Sequence, residues 1–386
     1  MVVKQIATLL NDVSGEVLGR SEIIQEDLTG VVDLGTEIFN ANAVDRYVKS
    51  LVNHIGRMIF VNRTYSVAVP SVVMDSWEFG SVLEKVTMEL PKSKENETWE
   101  LEDQTVYETN MFFKPVVSAK FYNSKTTFEV AMSITELQVK QSFSNPSQMN
   151  AFISMIFNTI ENKITLDLDN LIMRTINNMI GETFYAEHED GNYTGNSTAK
   201  CVNLLHLYNT QKAPAEELTA ENCYLDPEFI RFAVFIMGRT SDRMTRYSTL
   251  FNVGGKERFT PRDLQHFVLL SDFARAADVY LQSDTFHDEF TRLPNAELVP
   301  YWQGSGLAYD WGEITEINIK TASGHEVNPT GVLGVIFDRD ALGVSNLERR
   351  TTTHYVASAE FTNNWFKSDA GYFNDTNENF VVFYVA

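Results

Sequence analysis

Apolar residues recur at every fourth position without a break, from Phe152 through Ile156, Ile160, Ile164, Leu168, Ile172 and Ile176 to Ile180, and Met155, Leu171 and Met179 widen the row. That spacing predicts one α-helix over residues 146–180. Asn145 is placed to cap it, Pro146 stands at the first position, where a missing N–H is harmless, and Gly181 reads as a left-handed stop. Each four-residue step overshoots a full turn by about 40°, so the ridge walks about three-quarters of the way round a rod about 52 Å long. No single flat partner covers such a ridge. The helix is expected to pack against one body at its start and another at its end, as a strut.

Before the helix the pattern is different. Residues 1–43 are acidic and only intermittently apolar, interrupted by Gly15, Gly19, Gly30 and Gly35, and read as an arm that lies on something else. A short amphipathic helix follows from Ala43 or Val44 to about Met58, with Val48, Leu51, Val52 and Ile55 on its apolar side. Residues 58–70, 71–90 and 105–130 are rich in β-branched and aromatic residues and predict long strands, the last two forming a hairpin. The polar stretch between them, Lys92 to Asp103, reads either as a solvated tip or as a tip covered by a neighbouring subunit, which Trp99 and Leu101 among its charges favour.

After the helix, residues 182–200 read as a polar loop. Asp226-Pro227-Glu228 is a cap followed by proline and predicts a helix to about Met237. Phe267 to Leu270 reads as a short buried strand, Ser271 and Asp272 as a cap, and Phe273 to Leu281 as a small helix, together an α/β unit. The pattern is strand-like again from Glu313, with buried strands at residues 331–337 and 380–386 and Asp338-Arg339-Asp340 at the end of the first.

Composition narrows the class. The chain's 386 residues, 44% of them hydrophobic, suffice for two or three packing units with real cores. Lys and Arg number 31 against 52 Asp and Glu, a formal charge of −21, which argues against a dedicated nucleic-acid-binding surface and leaves room for a local basic patch. Cys201 and Cys223 make no disulfide framework and are read as free thiols. No signal-peptide pattern and no run of 18 apolar residues is present, so a cytosolic protein that does not enter a membrane is expected.

The search for chemistry yields no catalytic, cofactor-binding or metal-binding residues. His54, His188, His206, His266, His287, His325 and His354 are scattered singly, without HExxH or CxxC spacing. His287 stands beside Asp288 and Glu289, but adjacent residues on a helix do not converge. Asn252 to Lys256 has two glycines and a lysine yet lacks phosphate-loop spacing, and reads as a turn. Asp338 and Asp340 resemble a carboxylate pair of the kind acid–base hydrolases use, but Arg339 between them makes a salt-bridged turn the better account. GxSxG is absent. What the segments share is extension: arm, hairpin and strut expose more surface than a monomer tolerates, and copies of the chain are expected to cover one another.

The order of arm, long hairpin, spine helix, α/β unit and terminal strands resembles the α+β Hong Kong 97-type fold of tailed-phage major capsid proteins. Particular stretches are similar to those of short-tailed phages of the phi-29 kind. Arg46 to Gly56 looks like the segment before their hairpin, Met149 to Ile160 like the start of their spine helix, Leu264 to Phe286 like their strand and small-helix run, and Leu333 to Asp340 like their late strand. The resemblance covers nearly the whole chain.

The resemblance implies an N-terminal arm (1–43) and a peripheral domain (44–181) carrying an extended loop (about 59–120) and the spine helix (146–180). It further implies an axial domain (182–338) and return strands to the peripheral domain (339–386). It implies a non-enzymatic major capsid protein, assembled in the host bacterial cytoplasm into pentamers and hexamers of an icosahedral virion shell. The implied partners are further copies of itself, a scaffolding protein, a portal, and packaged double-stranded DNA bound without sequence specificity. No membrane and no cofactor is implied. The chain stops at a core-like strand, so the immunoglobulin-like decoration of some relatives is expected to be missing. An encapsulin-like nanocompartment shell is the alternative reading, and a soluble hydrolase using Asp338 and Asp340 a remote one.

Overall fold

In a computed structural model of the chain, the residues described are 11–12, 14–19, 46, 69–74, 83–93, 95, 100–105, 112–135, 146–188, 193, 195, 197–213, 216–282, 296–303, 314–359 and 361–386. The chain divides into two compact units. The first comprises Met1–Ser76, Lys125–Ile172 and Val344–Gly371, the second Trp77–Ser124, Met173–Gly343 and Tyr372–Ala386.

The long helix, α1, spans Pro146–Glu187. Its 42 residues make a rod of about 63 Å. From Ile160 onward the four-residue ridge is buried as its spacing requires: Ile160, Ile164, Leu168, Ile172, Ile176 and Ile180 all lie in the core, with Leu171 and Met179 beside them, while Leu166 off the ridge is exposed. The division between the two units falls at Ile172/Met173, inside this helix.

The expected stop at Gly181 is not a stop. The helix runs through it to Glu187, so the polar loop read from residue 182 begins later. The ridge's next step falls on Phe184, which is fully buried and meets the Tyr384 ring at 4.9 Å, edge to face. Burial of that aromatic outweighs the roughly 1 kcal/mol cost of a helical glycine. Gly181 serves a close approach instead, since a Cβ there would lie 2.1 Å from Ile319 Cδ1. Asn145 lies outside the described residues, as does all but Arg46 of the amphipathic helix expected over 43–58. In the arm, residues 11–12 and 14–18 are helical.

The first unit contains a four-stranded sheet in the order β1-β11-β12-β4, formed by β1 (Val73–Met74), β4 (Lys125–Thr135), β11 (Leu342–Val356) and β12 (Phe361–Asn374). β4 and β12 pair antiparallel from Lys125↔Gly371 to Thr135↔Phe361. Phe128, Val130 and Met132 point the same way as Ser368, Phe366 and Asn364, and on the opposite face Lys367 meets Glu129 at 3.2 Å and Thr127 donates to Asp369 at 2.7 Å. These cross-strand pairs, more than apolar run, hold a polar-rich sheet in register.

The second unit is built on a five-stranded sheet in the order β5-β13-β10-β6-β7. Its members are β5 (Cys201–Asn203), β6 (Gln265–Leu270), β7 (Ala296–Val299), β10 (Val332–Asp338) and β13 (Phe380–Tyr384). Every residue of β10 and β13 is buried, which is why they read as unbroken apolar runs and not as alternation. β6 and β7 are parallel, joined across α4 (Ser271–Gln282), so the expected α/β unit is present. Gly331 enters β10 at φ +73°, where a Cβ would lie 1.9 Å from the Val385 carbonyl oxygen; only glycine fits both demands.

Asp226 caps α3 (Pro227–Met244) through a 2.8 Å bond from the Phe229 amide. α3 continues past the expected end at Met237 because Thr240, Ser241 and Met244 remain on its buried side. Two small elements complete this unit, α2 (Leu204–Asn209) and the pair β8 (Ile319–Lys320) with β9 (Glu326–Val327). Trp302, fully buried, ties the unit together: its Nε1 donates to the Val332 carbonyl at 2.8 Å, and Asn177 of α1 donates to the Trp302 carbonyl at 2.7 Å.

Candidate assembly surface on a two-stranded hairpin

A separate antiparallel pair, β2 (Leu83–Met88) with β3 (Val117–Tyr122), forms the hairpin. The strand expected to run unbroken through residues 105–130 is in fact divided: β3 ends at Tyr122, and after Asn123 and Ser124 the chain enters β4 in another sheet. The bond from the Tyr372 amide to the Ser124 carbonyl, 3.1 Å, fixes that turn, a contact between segments too far apart in sequence for periodicity to register.

Register assigns the hairpin two unlike faces. Leu83, Lys85 and Thr87 share one with Tyr122, Lys120 and Ser118; Glu84, Val86 and Met88 share the other with Phe121, Ala119 and Val117. The first face is anchored. Lys85 Nζ lies 3.0 Å from Asp375 and 2.8 Å from Glu378, Lys120 Nζ lies 2.7 Å from Asp375, and Arg258 Nε lies 3.3 Å from Glu378. The Tyr122 ring packs on Phe373 at 5.0 Å. Lys256 adds a fourth tie, 2.5 Å to Glu89.

The charges are matched well enough to overcome their burial. Desolvation alone would raise the Asp375 carboxyl, yet the ammonium groups of Lys120 and Lys85 hold it below the ordinary carboxylate range. Desolvation likewise opposes the charge on Lys85, and Glu378 and Asp375 reverse it, raising its pKa. A buried carboxylate with such partners fixes geometry, because removing either side leaves a charge unpaired.

The second face has no cover among the described residues. Val86, Met88, Val117 and Phe121 are exposed, as are Leu90 and Val116 just beyond the strands. Further out, Phe112 and Phe113 are 87% and 77% exposed, and Leu101 of the polar tip is 57% exposed. Full burial of such side chains is worth about 1.5–3 kcal/mol each, and a contiguous apolar patch of this kind marks an interaction surface.

The residues singled out for chemistry do not converge. Asp338 is buried and accepts from Thr260 Oγ1 at 2.6 Å and from the Asp340 amide at 2.9 Å. Burial raises its pKa, opposed by the Thr260 bond. The salt-bridged turn expected there is a turn without that bridge. Arg339 pairs with neither carboxylate among the described residues, because the Thr260 hydroxyl and the turn amide already satisfy Asp338. Asn252 closes on Lys256 in both directions, 2.7 and 2.8 Å, so these turn amides face their own loop. His325 stacks on Tyr185 at 4.7 Å, and the His188 ring lies 3.5 Å from the Tyr384 hydroxyl. The His266 ring lies against Phe337 at 5.8 Å, and burial lowers its pKa. Cys201 and Cys223 are free and buried. His54 and His287 lie outside the described residues. Among the described residues no three His, Cys, Asp or Glu side chains are placed to hold a metal, and no helix is long and apolar enough to cross a membrane.

A four-stranded and a five-stranded sheet, a 42-residue helix and an open-faced hairpin make up a fold of the Hong Kong 97 type. The capsid of Staphylococcus phage Andhra shares that fold at a TM-score of 0.50 and 10% identity, over 84% of this chain and 86% of that one. Also similar are the capsid of Cyanophage P-SCSP1u, at 0.47 and 10% over 84% and 90%, and the mature capsid of bacteriophage PhiM1, at 0.43 and 7% over 84% and 89%. No curated protein sequence matches. The chain belongs to the Phi29-like phage major capsid protein family, whose sequence model matches residues 6–384. It is a structural component of a phage virion and forms the capsid shell with copies of itself, and neither the nanocompartment nor the hydrolase reading is favoured.

Sequence reading anticipated a hairpin between residues 71–90 and 105–130, but only β2 and β3 form it: residues 70–72 are a 3-10 turn and β1 pairs with β11 in the other sheet. It missed the anchoring cluster, in which Lys85 and Lys120 meet carboxylates more than 250 positions away. It also missed the single-face exposure of β2 and β3, for which the alternation Glu84-Lys85-Val86-Thr87-Met88 was the available signal.

Proposed function

We propose that the chain forms the pentamers and hexamers of an icosahedral head that encloses double-stranded DNA. The hairpin carries the extended loop, within about residues 59–120, and lies with its apolar face over an adjacent subunit. Residues 1–43 act as the arm and 44–181 as the peripheral domain, with α1 as its spine. Residues 182–338 act as the axial domain at the capsomer centre, and 339–386 return to the peripheral domain. A scaffolding protein and a portal direct assembly in the host bacterial cytoplasm, the DNA is held without sequence-specific contacts, and the chain catalyses no reaction. The net charge of −21 fits this role, since multivalent phosphate contacts would resist packaging and ejection.

The observation that carries the reading is the hairpin, anchored on one face by buried ion pairs and open on the other with Val86, Met88, Val117 and Phe121. Electron microscopy of the expressed protein, alone and with a candidate scaffold, tests it. Closed shells or rings of five and six are expected; a chain that remains monomeric under every condition would overturn it.

A further inference from the structure

The exposed face of α3 carries a row at spacing four: Arg231, Phe235, Arg239, Arg243 and, past its last turn, Tyr247, with Arg246 alongside. Phe235, Arg239 and Arg243 fall within an arc of about 80°. Phe235 is 63% exposed, with the Arg239 guanidinium over its ring at 5.9 Å. In a chain with 52 acidic residues against 31 basic ones, arginines on a surface would be expected to find carboxylates within their own fold. Arg239, Arg243 and Arg246 form no ion pair among the described residues, whereas the carboxylates on this face are engaged elsewhere, Glu228 with Lys212 and Asp242 with Arg262. Three like charges along one helix face repel one another at a few tenths of a kcal/mol per pair. Exposed arginine beside exposed aromatic rings is the composition of a protein interface, more than of a surface that meets only water or phosphate.

The complementary set is on the same chain. The described end of the hairpin loop, residues 100–103, carries Glu100, Glu102 and Asp103 beside Leu101, with Glu95 a few positions before it. Glu95, Glu100 and Asp103 are exposed and form no ion pair among the described residues. These three carboxylates do not pair with α3 of their own chain, and they carry the charge that Arg239 and Arg243 lack.

We propose that the acidic tip of one copy docks on the arginine and aromatic stripe of α3 in a neighbouring copy. The contact is heterologous, tip to stripe, so each subunit gives one surface and receives on the other, as a closed ring requires. This rests on the reading of the hairpin as a loop that covers an adjacent subunit, and it names the surface that receives the tip. Charge pairs at such a contact set register and speed encounter, and exposed Leu101 and Phe235 supply the area that becomes buried.

Paired charge reversal tests it, under the conditions in which the unmodified chain forms shells. Glu100→Lys with Asp103→Lys, and separately Arg239→Glu with Arg243→Glu, each lower the yield of sedimenting particles by about tenfold or more, with unchanged circular dichroism. Combining all four changes in one chain restores assembly. Three results overturn the pairing while leaving the hairpin's covering role intact. Tip reversal that blocks assembly without rescue by stripe reversal would mean the tip docks elsewhere. Stripe reversal that leaves shells intact would remove α3 from the contact. Stripe reversal that leaves shells intact but weakens retention of double-stranded DNA would make the stripe a phosphate-binding surface. A chain that never leaves the monomer would overturn the covering role itself.

Discussion

Asp375 is 2% exposed on its side chain and faces two lysines, Lys85 at 3.0 Å and Lys120 at 2.7 Å. Its pKa is lowered on folding, so its contribution to stability is complete above the unfolded carboxylate value of about 3.9 and is lost as pH falls through the folded value. Lys85, raised on folding, contributes fully below about pH 10.4 and loses that contribution only as pH rises through its folded value. Asp338 has the opposite sign to Asp375: its pKa is raised by burial, so its ionisation weakens the fold as pH rises. Asp375→Asn is thus expected to cost about 3 kcal/mol at pH 7 by chemical denaturation, the loss typical of an opened buried pair. The gap to the unmodified chain should close below about pH 4. A deficit that persists unchanged to pH 3 would mean that the side chain acts through packing and not through its charge. Nothing local in the sequence marks Asp375, since its partners come from strands more than 250 positions away.

Along α1 the periodic signal is much stronger. A four-residue repeat of Ile and Leu is a local property, and from Ile160 to Ile180 each predicted position is buried. Ile164→Asp should abolish soluble expression by placing an unpaired charge in the core. Leu166→Asp, two residues away on the exposed side, should change stability by no more than about 0.5 kcal/mol in thermal or denaturant unfolding. Equal effects of the two changes would mean the ridge is not the buried face. The same local logic succeeds for β10, β13 and the run from β6 into α4, where unbroken apolar stretches and the helical spacing can be read directly, although Ser271 and Asp272, read as the cap, lie inside the first turn of α4. It fails at Gly181, because a glycine that ends a helix and a glycine that admits a neighbour look alike in sequence. For β11 and β12 it gives strand character but not the pairing, because the Arg350–Asp369 and Lys367–Glu129 pairs form only between strands already aligned.

The chain as a capsid subunit is legible as a pattern of excess surface. The sequence reads arm, hairpin and strut as stretches that a monomer would leave uncovered, and among the described residues the open face of β2 and β3 has that character. Phe121→Asp should leave circular dichroism and unfolding within about 0.5 kcal/mol of the unmodified chain while removing assembled particles from sedimentation profiles. Normal shells from that variant would show that the face stays in solvent. The apolar ridge, the buried strands and the acidic balance were determined by sequence alone, since period, run length and charge are properties of neighbouring residues. Tertiary structure decided the ends of α1 and β3, the anchoring of the hairpin through Asp375 and Glu378, and the gathering of arginines on one exposed side of α3. Each of these depends on which distant segment arrives opposite, and only the folded chain brings those segments together.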